Sequence, residues 1–163
     1  EALSASYNSM HDVDSRIVRI FNTYGPRMST GDGRVVSSFI WNILRGEPVS
    51  INGDGLQTRS FCFVSDLVDG LIKVMNNPSR SLGPINLGNP HEISVRELAS
   101  IISELADKPL EINWQALPKD DPKIRCPDIS FARSLLSWEP TVDLKTGLEK
   151  TITYFRGHLN DIQ

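Results

Sequence analysis

The sequence predicts an α/β fold with some parallel strand pairing. Two observations carry that prediction. Short β-branched segments alternate with segments of helical apolar period, and polar and cationic residues gather where the strands end. The first strand sets the pattern. Arg16 to Phe21 alternates charged and apolar side chains, and the apolar signal then stops at Asn22-Thr23-Tyr24-Gly25-Pro26-Arg27. Gly25-Pro26 turns the chain, while Arg27 and, beyond Gly31-Asp32-Gly33, Arg34 bring permanent positive charge. Ligands of open α/β sheets bind at the carboxyl ends of strands, so this stretch reads as a floor for an anionic ligand. It reads equally well as an ordinary strand-to-helix connection with surface arginines.

The remaining elements follow in order. Glu1 to Met10 is compatible with a helix but lacks an N-cap and an initiator methionine, and is expected to be the tail of a helix that starts upstream. Val35, Val36, Phe39, Ile40, Ile43 and Leu44 form one broad helical face, closed by Gly46 as a left-handed cap. Free N–H groups at the start of this helix, just after Gly31-Asp32-Gly33, suit a phosphate or carboxylate. Val49 to Ile51 and Thr58 to Val64 read as strands around Asn52-Gly53-Asp54-Gly55, either as a hairpin or as two strands that are not neighbours. Ser65 is expected to cap a helix bearing Leu67, Val68, Leu71, Ile72 and Met75 on one face, stopped by Asn76-Asn77-Pro78. Pro84 to Gly88 is a short strand around Asn86, an amide that either braces a loop or meets a ligand. Ser94 to Glu97 matches a capping box ahead of the stripe Val95, Leu98, Ile101, Ile102 and Leu105. Leu110 to Trp114 reads as a strand, 117–128 as a polar, proline-punctuated loop, and Asp128 and Asp143 as caps of two last helices separated at Trp138-Glu139-Pro140.

Composition narrows the function. At 163 residues the chain is long enough for one domain with a real core, or for the second part of a larger domain. A net charge of −3 and a pI near 5.6 argue against a nucleic-acid partner. No window approaches the ~18 consecutive apolar residues that span a bilayer. Cys62 and Cys126 lack metal-ligand spacing and read as reduced thiols, and His11, His91 and His158 form no cluster, so no metal site is expected. Three arginines (Arg34, Arg59, Arg125) and two amides (Asn22, Asn86) suit a diphosphate ligand, because guanidinium forks hold phosphate oxygens bidentately and amides read sugar hydroxyls. Each also reads, singly, as a solvated surface side chain.

Several motifs occur together in order: Arg19 to Arg27 with Gly31 to Ile40, Gly46-Glu47-Pro48, Gln57 to Gly70, Ile85-Asn86-Leu87-Gly88-Asn89-Pro90, Asp120-Asp121-Pro122 with Arg125 and Pro127-Asp128-Ile129, and Ser137-Trp138-Glu139-Pro140. Over essentially its whole length the chain resembles the C-terminal half of the extended short-chain dehydrogenase/reductases that work on nucleotide sugars, the NAD-dependent epimerase/dehydratase family. Within that family the likeness is greatest to the branch that decarboxylates UDP-glucuronate to UDP-xylose. The alternatives are a dTDP-glucose 4,6-dehydratase or nucleotide-sugar epimerase of the same superfamily, or a truncated non-catalytic module for nucleotide-sugar binding or oligomerisation.

The resemblance implies the last Rossmann strands and helices (about 1–26 and 58–90) interleaved with a small α/β nucleotide-sugar subdomain (about 27–57 and 91–163). It implies that Thr23 and Arg34 lie against NAD and that Asn22 contacts the sugar-nucleotide phosphates. Arg59 and Arg125 would clamp the diphosphate and ribose region, Asn86 would add a polar contact, and Tyr7 would stand near the sugar nucleotide. The family's catalytic Tyr-x-x-x-Lys and Gly-rich phosphate turn would precede Glu1, so the chain alone is expected neither to bind NAD tightly nor to turn over substrate. Asn52 departs from the family, which usually has an aromatic residue there near the nucleotide base. The resemblance also implies a UDP-sugar partner, a homodimer through helices including the one that ends in Glu1 to Met10, and a cytoplasmic location, or the Golgi lumen if an anchor precedes Glu1.

Overall fold

The computed structural model describes residues 1–30, 33–79, 83–117 and 124–159. Helix α1 (Ala2–His11) buries no residue, and Leu3, Tyr7 and Met10 all face outward. Strand β1 (Val18–Ile20) runs parallel to β6 (Ile85–Leu87), with Arg19 opposite Asn86. The chain then changes partner. Phe21 N–H still donates to the Leu87 carbonyl at 3.0 Å, but the Asn22 carbonyl accepts from Cys62 N–H at 2.8 Å, and β2 (Thr23–Tyr24) continues parallel to β5 (Cys62–Phe63). Asn22 thus stands where the strand leaves one neighbour for another, the kind of branch point at which α/β sheets leave room for a ligand.

The other strands do not form the hairpin. β3 (Val49–Asn52) pairs in parallel with β8 (Ile112–Gln115), while β4 (Thr58–Ser60) lies between antiparallel β7 (Glu92–Ser94) and parallel β9 (Ile124–Arg125). The turn at Asn52 to Gly55 therefore connects strands of different sheets. The strand expected over 58–64 breaks at Phe61 because its two halves join different partners, β4 with β7 and β9 and β5 with β2.

Two cores result. Helices α2 (Val35–Arg45), α4 (Val95–Ala106) and α6 (Leu144–Gly157) bury their apolar stripes against β3, Tyr24, Phe61 and Phe63. A second cluster joins α3 (Val64–Asn76), β6 and α5 (Ser130–Leu136) around Cys62 and Trp138. The pleat explains why 61–63 serves both: alternate residues point to opposite faces, so Phe61 and Phe63 enter the first core and Cys62 the second. Burial, with the Asp66 charge adding, pushes the Cys62 thiol up to about 12.

Local signals mostly hold, with instructive departures. Gly46 closes α2 at φ 71°, and Ser94 Oγ accepts from Glu97 N–H at 3.1 Å at the start of α4. Helix α3 starts one residue before the expected Ser65 cap: Phe63 occupies the N-cap position with no side-chain bond, and Asp66 supplies the negative charge of the first turn. The apolar face expected on α3 is split. Leu67 and Val74 are buried, whereas Val68, Ile72 and Met75 are each about half exposed or more. Apolar residues spread over too wide an arc for the second core to cover them all. Asp128 stands one residue before the α5 cap, Ile129, and accepts from Ser130 N–H at 2.9 Å and Ser130 Oγ–H at 2.6 Å.

Asp143 caps α6 by accepting from Thr146 N–H at 3.0 Å, which holds its carboxyl below the usual carboxylate range. A folded-state pKa below the unfolded one stabilises fully above the unfolded value, and that contribution is lost as pH falls through the folded one. Acidification below about pH 4 should therefore lower the urea midpoint. In Asp143→Asn, whose amide oxygen caps without titrating, the wild-type-minus-variant difference should shrink to nothing over that window. A difference that is independent of pH would contradict the assignment.

Candidate functional site

A cavity of about 380 Å³ opens where β1 passes into β2. Ile20, Phe21, Asn22 and Thr23 form its floor, Met28, Arg34, Val35 and Val36 come from the following loop and the start of α2, and Arg59 and Phe61 come from β4 and the break after it. Each group arrives for a local reason. Asn22 and Thr23 lie at the partner change, and Thr23 Oγ1–H donates to the Phe21 carbonyl at 2.9 Å, leaving its oxygen lone pairs available. Gly25 allows the turn because a Cβ there would come within 2.5 Å of Val64 Cγ1. Arg34 is the N-cap residue of α2 in extended conformation, so its side chain stands beside the helix N-terminus. Arg59 and Phe61 are two residues apart and share one face of the chain.

Four of the seven residues singled out in the sequence, Asn22, Thr23, Arg34 and Arg59, line this one cavity. Arg125 is in direct register with Arg59 across the parallel β4–β9 pair, so their side chains leave the same face of the sheet. Ser60, on the opposite face, donates its hydroxyl to the Arg125 carbonyl at 3.3 Å and fixes that register. Asn86 is placed elsewhere: its Nδ2–H donates to the Asp128 carbonyl at 2.9 Å, bracing the loop that follows Arg125, while its Oδ1 is enclosed without a partner among the described residues. Tyr7 lies on α1, exposed, with its ring 5.2 Å from that of His11 and away from the cavity lining. Asn52 ends β3 and accepts from Gln57 Nε2–H through its carbonyl at 3.1 Å. Gly31, Asp32, Asp120, Asp121 and Pro122 lie outside the described residues.

The apolar half of the lining was missed in the sequence. Phe61 was within reach, since it follows Arg59 at strand period, but Phe21, Met28, Val35 and Val36 look in the sequence like ordinary core residues. Beside the main cavity, a shallower one of about 340 Å³ continues past Thr23 and Arg34 to Arg27, whose backbone is left-handed at φ 67°. Together the two offer guanidinium groups, a hydroxyl and an amide over an apolar floor. That donor set suits a phosphorylated ligand with a flat or apolar part. A nicotinamide dinucleotide has both features, so Thr23, Arg34 and the apolar wall fit one end of such a cofactor.

Comparisons with known proteins address the family and the fold. Residues 1–88 match the model of the NAD dependent epimerase/dehydratase family. UDP-glucuronic acid decarboxylase 3 of Arabidopsis thaliana is 50% identical over 160 residues, covering 98% of this chain and 46% of that protein. UDP-glucuronic acid decarboxylase 1 of Xenopus tropicalis is 48% identical over 159 residues, covering 98% of this chain and 37% of that protein. Among solved structures, the epimerase Mth375 of Methanothermobacter thermautotrophicus superimposes with a TM-score of 0.93 at 31% identity, over 99% of this chain and 48% of that one. UDP-glucuronic acid 4-epimerase of Bacillus cereus, in complex with UDP-glucuronic acid and NAD, gives 0.88 at 29% identity, over 96% and 49%. The chain spans less than half the length of these relatives. With its parallel strands and a cavity at their carboxyl ends, it belongs to the NAD dependent epimerase/dehydratase family.

Proposed function

We propose that the intact protein converts UDP-glucuronate to UDP-xylose and carbon dioxide with bound NAD, and that this chain supplies its substrate-binding half. The observation that carries the reading is the meeting of Asn22, Thr23, Arg34 and Arg59 in one cavity with Arg125 in register beside it. The names of its relatives, UDP-glucuronic acid decarboxylases, support UDP-glucuronate as the substrate. Asn22 and Arg59 hold the diphosphate, Arg125 adds a second guanidinium at the ribose side, and Thr23 and Arg34 hold the cofactor. When bound, NAD supplies a reversible hydride acceptor for sugar C4, which turns the uronate into a β-keto acid able to lose carbon dioxide. The apolar wall of Phe21, Met28, Val35 and Val36 excludes water from the reacting carbons, and fixing the diphosphate at the other end orients the sugar ring over that wall.

The base is assigned to a Tyr-x-x-x-Lys pair outside this chain, so the 163 residues alone should release no carbon dioxide from UDP-glucuronate. Residues 1–26 and 58–90 are assigned to the cofactor side and 27–57 and 91–163 to the sugar-nucleotide side, with Trp138 and α5 packing back on the former. The outward Leu3, Tyr7 and Met10 of α1 support a homodimer through that helix, and two free cysteines suit the reducing cytoplasm.

The experiment is product analysis. Intact protein with UDP-glucuronate and NAD should yield UDP-xylose; a 4-epimer that keeps its carboxylate would assign the chain to the epimerases instead. In the same protein, Arg59→Ala should weaken UDP binding by about 1.5–3 kcal/mol through loss of a charge-assisted contact. Unchanged affinity by calorimetry would make Arg59 a surface residue.

A further inference from the structure

Tyr24 stands behind the main cavity and outside its chemistry. Asn22 and Thr23 line that cavity, whereas Tyr24, one residue on, points to the opposite face of β2 and into the first core. At 1% exposure it has no surface to offer a ligand, and it borders only the shallower cavity. Its contacts, however, reach the parts on which the site depends.

The phenol donates its O–H to the Leu144 carbonyl at 3.1 Å, which ties β2 to the first turn of α6, 120 residues further along the chain. That carbonyl keeps a second lone pair for its own helix. The ring also meets Phe63 edge-on at 5.5 Å and Phe61 edge-on at 6.4 Å. Phe63 is the register partner of Tyr24 across β2 and β5, and Phe61 walls the main cavity two residues after Arg59. One ring thus braces the strand that carries Thr23, the segment that follows Arg59, and a helix of the sugar-nucleotide side.

Two features give the hydroxyl contact leverage. Strand β2 is only two residues long and runs directly into Gly25-Pro26, so little sheet pairing holds Thr23 in place. Helix α6, in turn, has a glycine at 147 in its interior, where alanine is the better helix former, and a Cβ there would clash with the Tyr24 oxygen. The helix gives up propensity at the point where the hydroxyl enters.

We propose that Tyr24 is a positioning residue: through its hydroxyl on α6 it holds Thr23, and with it the cofactor end of the cavity, at a fixed distance from Arg59 and Arg125 at the diphosphate end. This division of labour, which rests on the assignment of Thr23 to NAD and of the arginines to UDP, leaves affinity for UDP to the guanidinium groups and gives Tyr24 control of where the cofactor lies against the sugar.

Calorimetry on the intact protein separates the two ends. Tyr24→Phe, which removes only the hydroxyl, should weaken NAD binding about fivefold and leave UDP affinity within about twofold of wild type. Gly147→Ala, which pushes on the same oxygen from α6, should give the same split. Trp138→Phe is the control, since it loosens the other core and should shift neither affinity. A loss of stability alone would lower the fraction of protein that binds, equally for both ligands, and leave both dissociation constants as they were. The proposal is overturned by unchanged NAD affinity in Tyr24→Phe, by an equal fall in affinity for NAD and UDP, or by the same split in Trp138→Phe. Wild-type protein that binds neither ligand would overturn the nucleotide-sugar reading as well, a result distinct from each of these.

Discussion

Replacing Trp138 by alanine is expected to cost about 4 kcal/mol of stability, since the substitution empties the centre of the second core. The indole is 1% exposed and packs with Leu67, Leu87, Ala132 and Leu136. It also donates Nε1–H to the Asp66 carbonyl at 3.0 Å, so truncation strips a buried hydrogen bond as well as apolar contact. The same Asp66 ties down the chain beyond Trp138, its carboxylate accepting from Thr141 Oγ1–H at 3.1 Å and Val142 N–H at 3.0 Å. Trp138→Phe, which keeps most of the volume and loses the donor, should recover more than half of the loss. Urea unfolding of the three proteins measures this, and a loss below about 1 kcal/mol for the alanine variant would mean that the site collapses without cost.

Gly147→Ala should destabilise by about 2–3 kcal/mol, although alanine in a helix interior normally gains about 1 kcal/mol over glycine. Gly147 lies inside α6, and a Cβ there would clash with Tyr24 Oη, with Tyr24 Cζ at 2.8 Å and Phe63 Cδ2 at 2.9 Å also too near. Tyr24 has nowhere to retreat. It is 1% exposed, its ring meets Phe63 edge-on at 5.5 Å, and its hydroxyl donates to the Leu144 carbonyl at 3.1 Å. Because the nearest clash is with the phenolic oxygen, Tyr24→Phe should be mildly destabilising alone and yet partly rescue Gly147→Ala, giving a favourable coupling in a double-mutant cycle. Tyr24 directly follows Asn22 and Thr23, so the single variant should also lower nucleotide affinity, a consequence that a purely local helix defect would not have.

Much of this was readable from residue order. The stripes of α2 and α4, the Ser94 and Asp143 caps and the Gly46 stop depend on neighbours within one or two turns, and such local physics is visible without coordinates. Two features were not. Whether Val49 to Ile51 and Thr58 to Val64 pair with each other depends on β7, β8 and β9, which arrive 30 or more residues later. The split face of α3 depends on how far Trp138 and α5 reach round it. In the site, the charged and amide residues stood out because their chemistry is costly to waste, whereas Met28, Val35 and Val36 looked like core residues until the cavity was seen. Asn86 braces the loop after Arg125 through its Nδ2–H.

The central claim is that the side chains of Asn22, Arg59 and Arg125 converge on a sugar diphosphate. The most direct test is a crystal structure of the intact protein with UDP bound. The claim predicts diphosphate oxygens within about 3 Å of the Asn22 amide and the Arg59 guanidinium, with Arg125 on the same side of the ligand. UDP bound elsewhere, with those side chains turned to solvent, would contradict it.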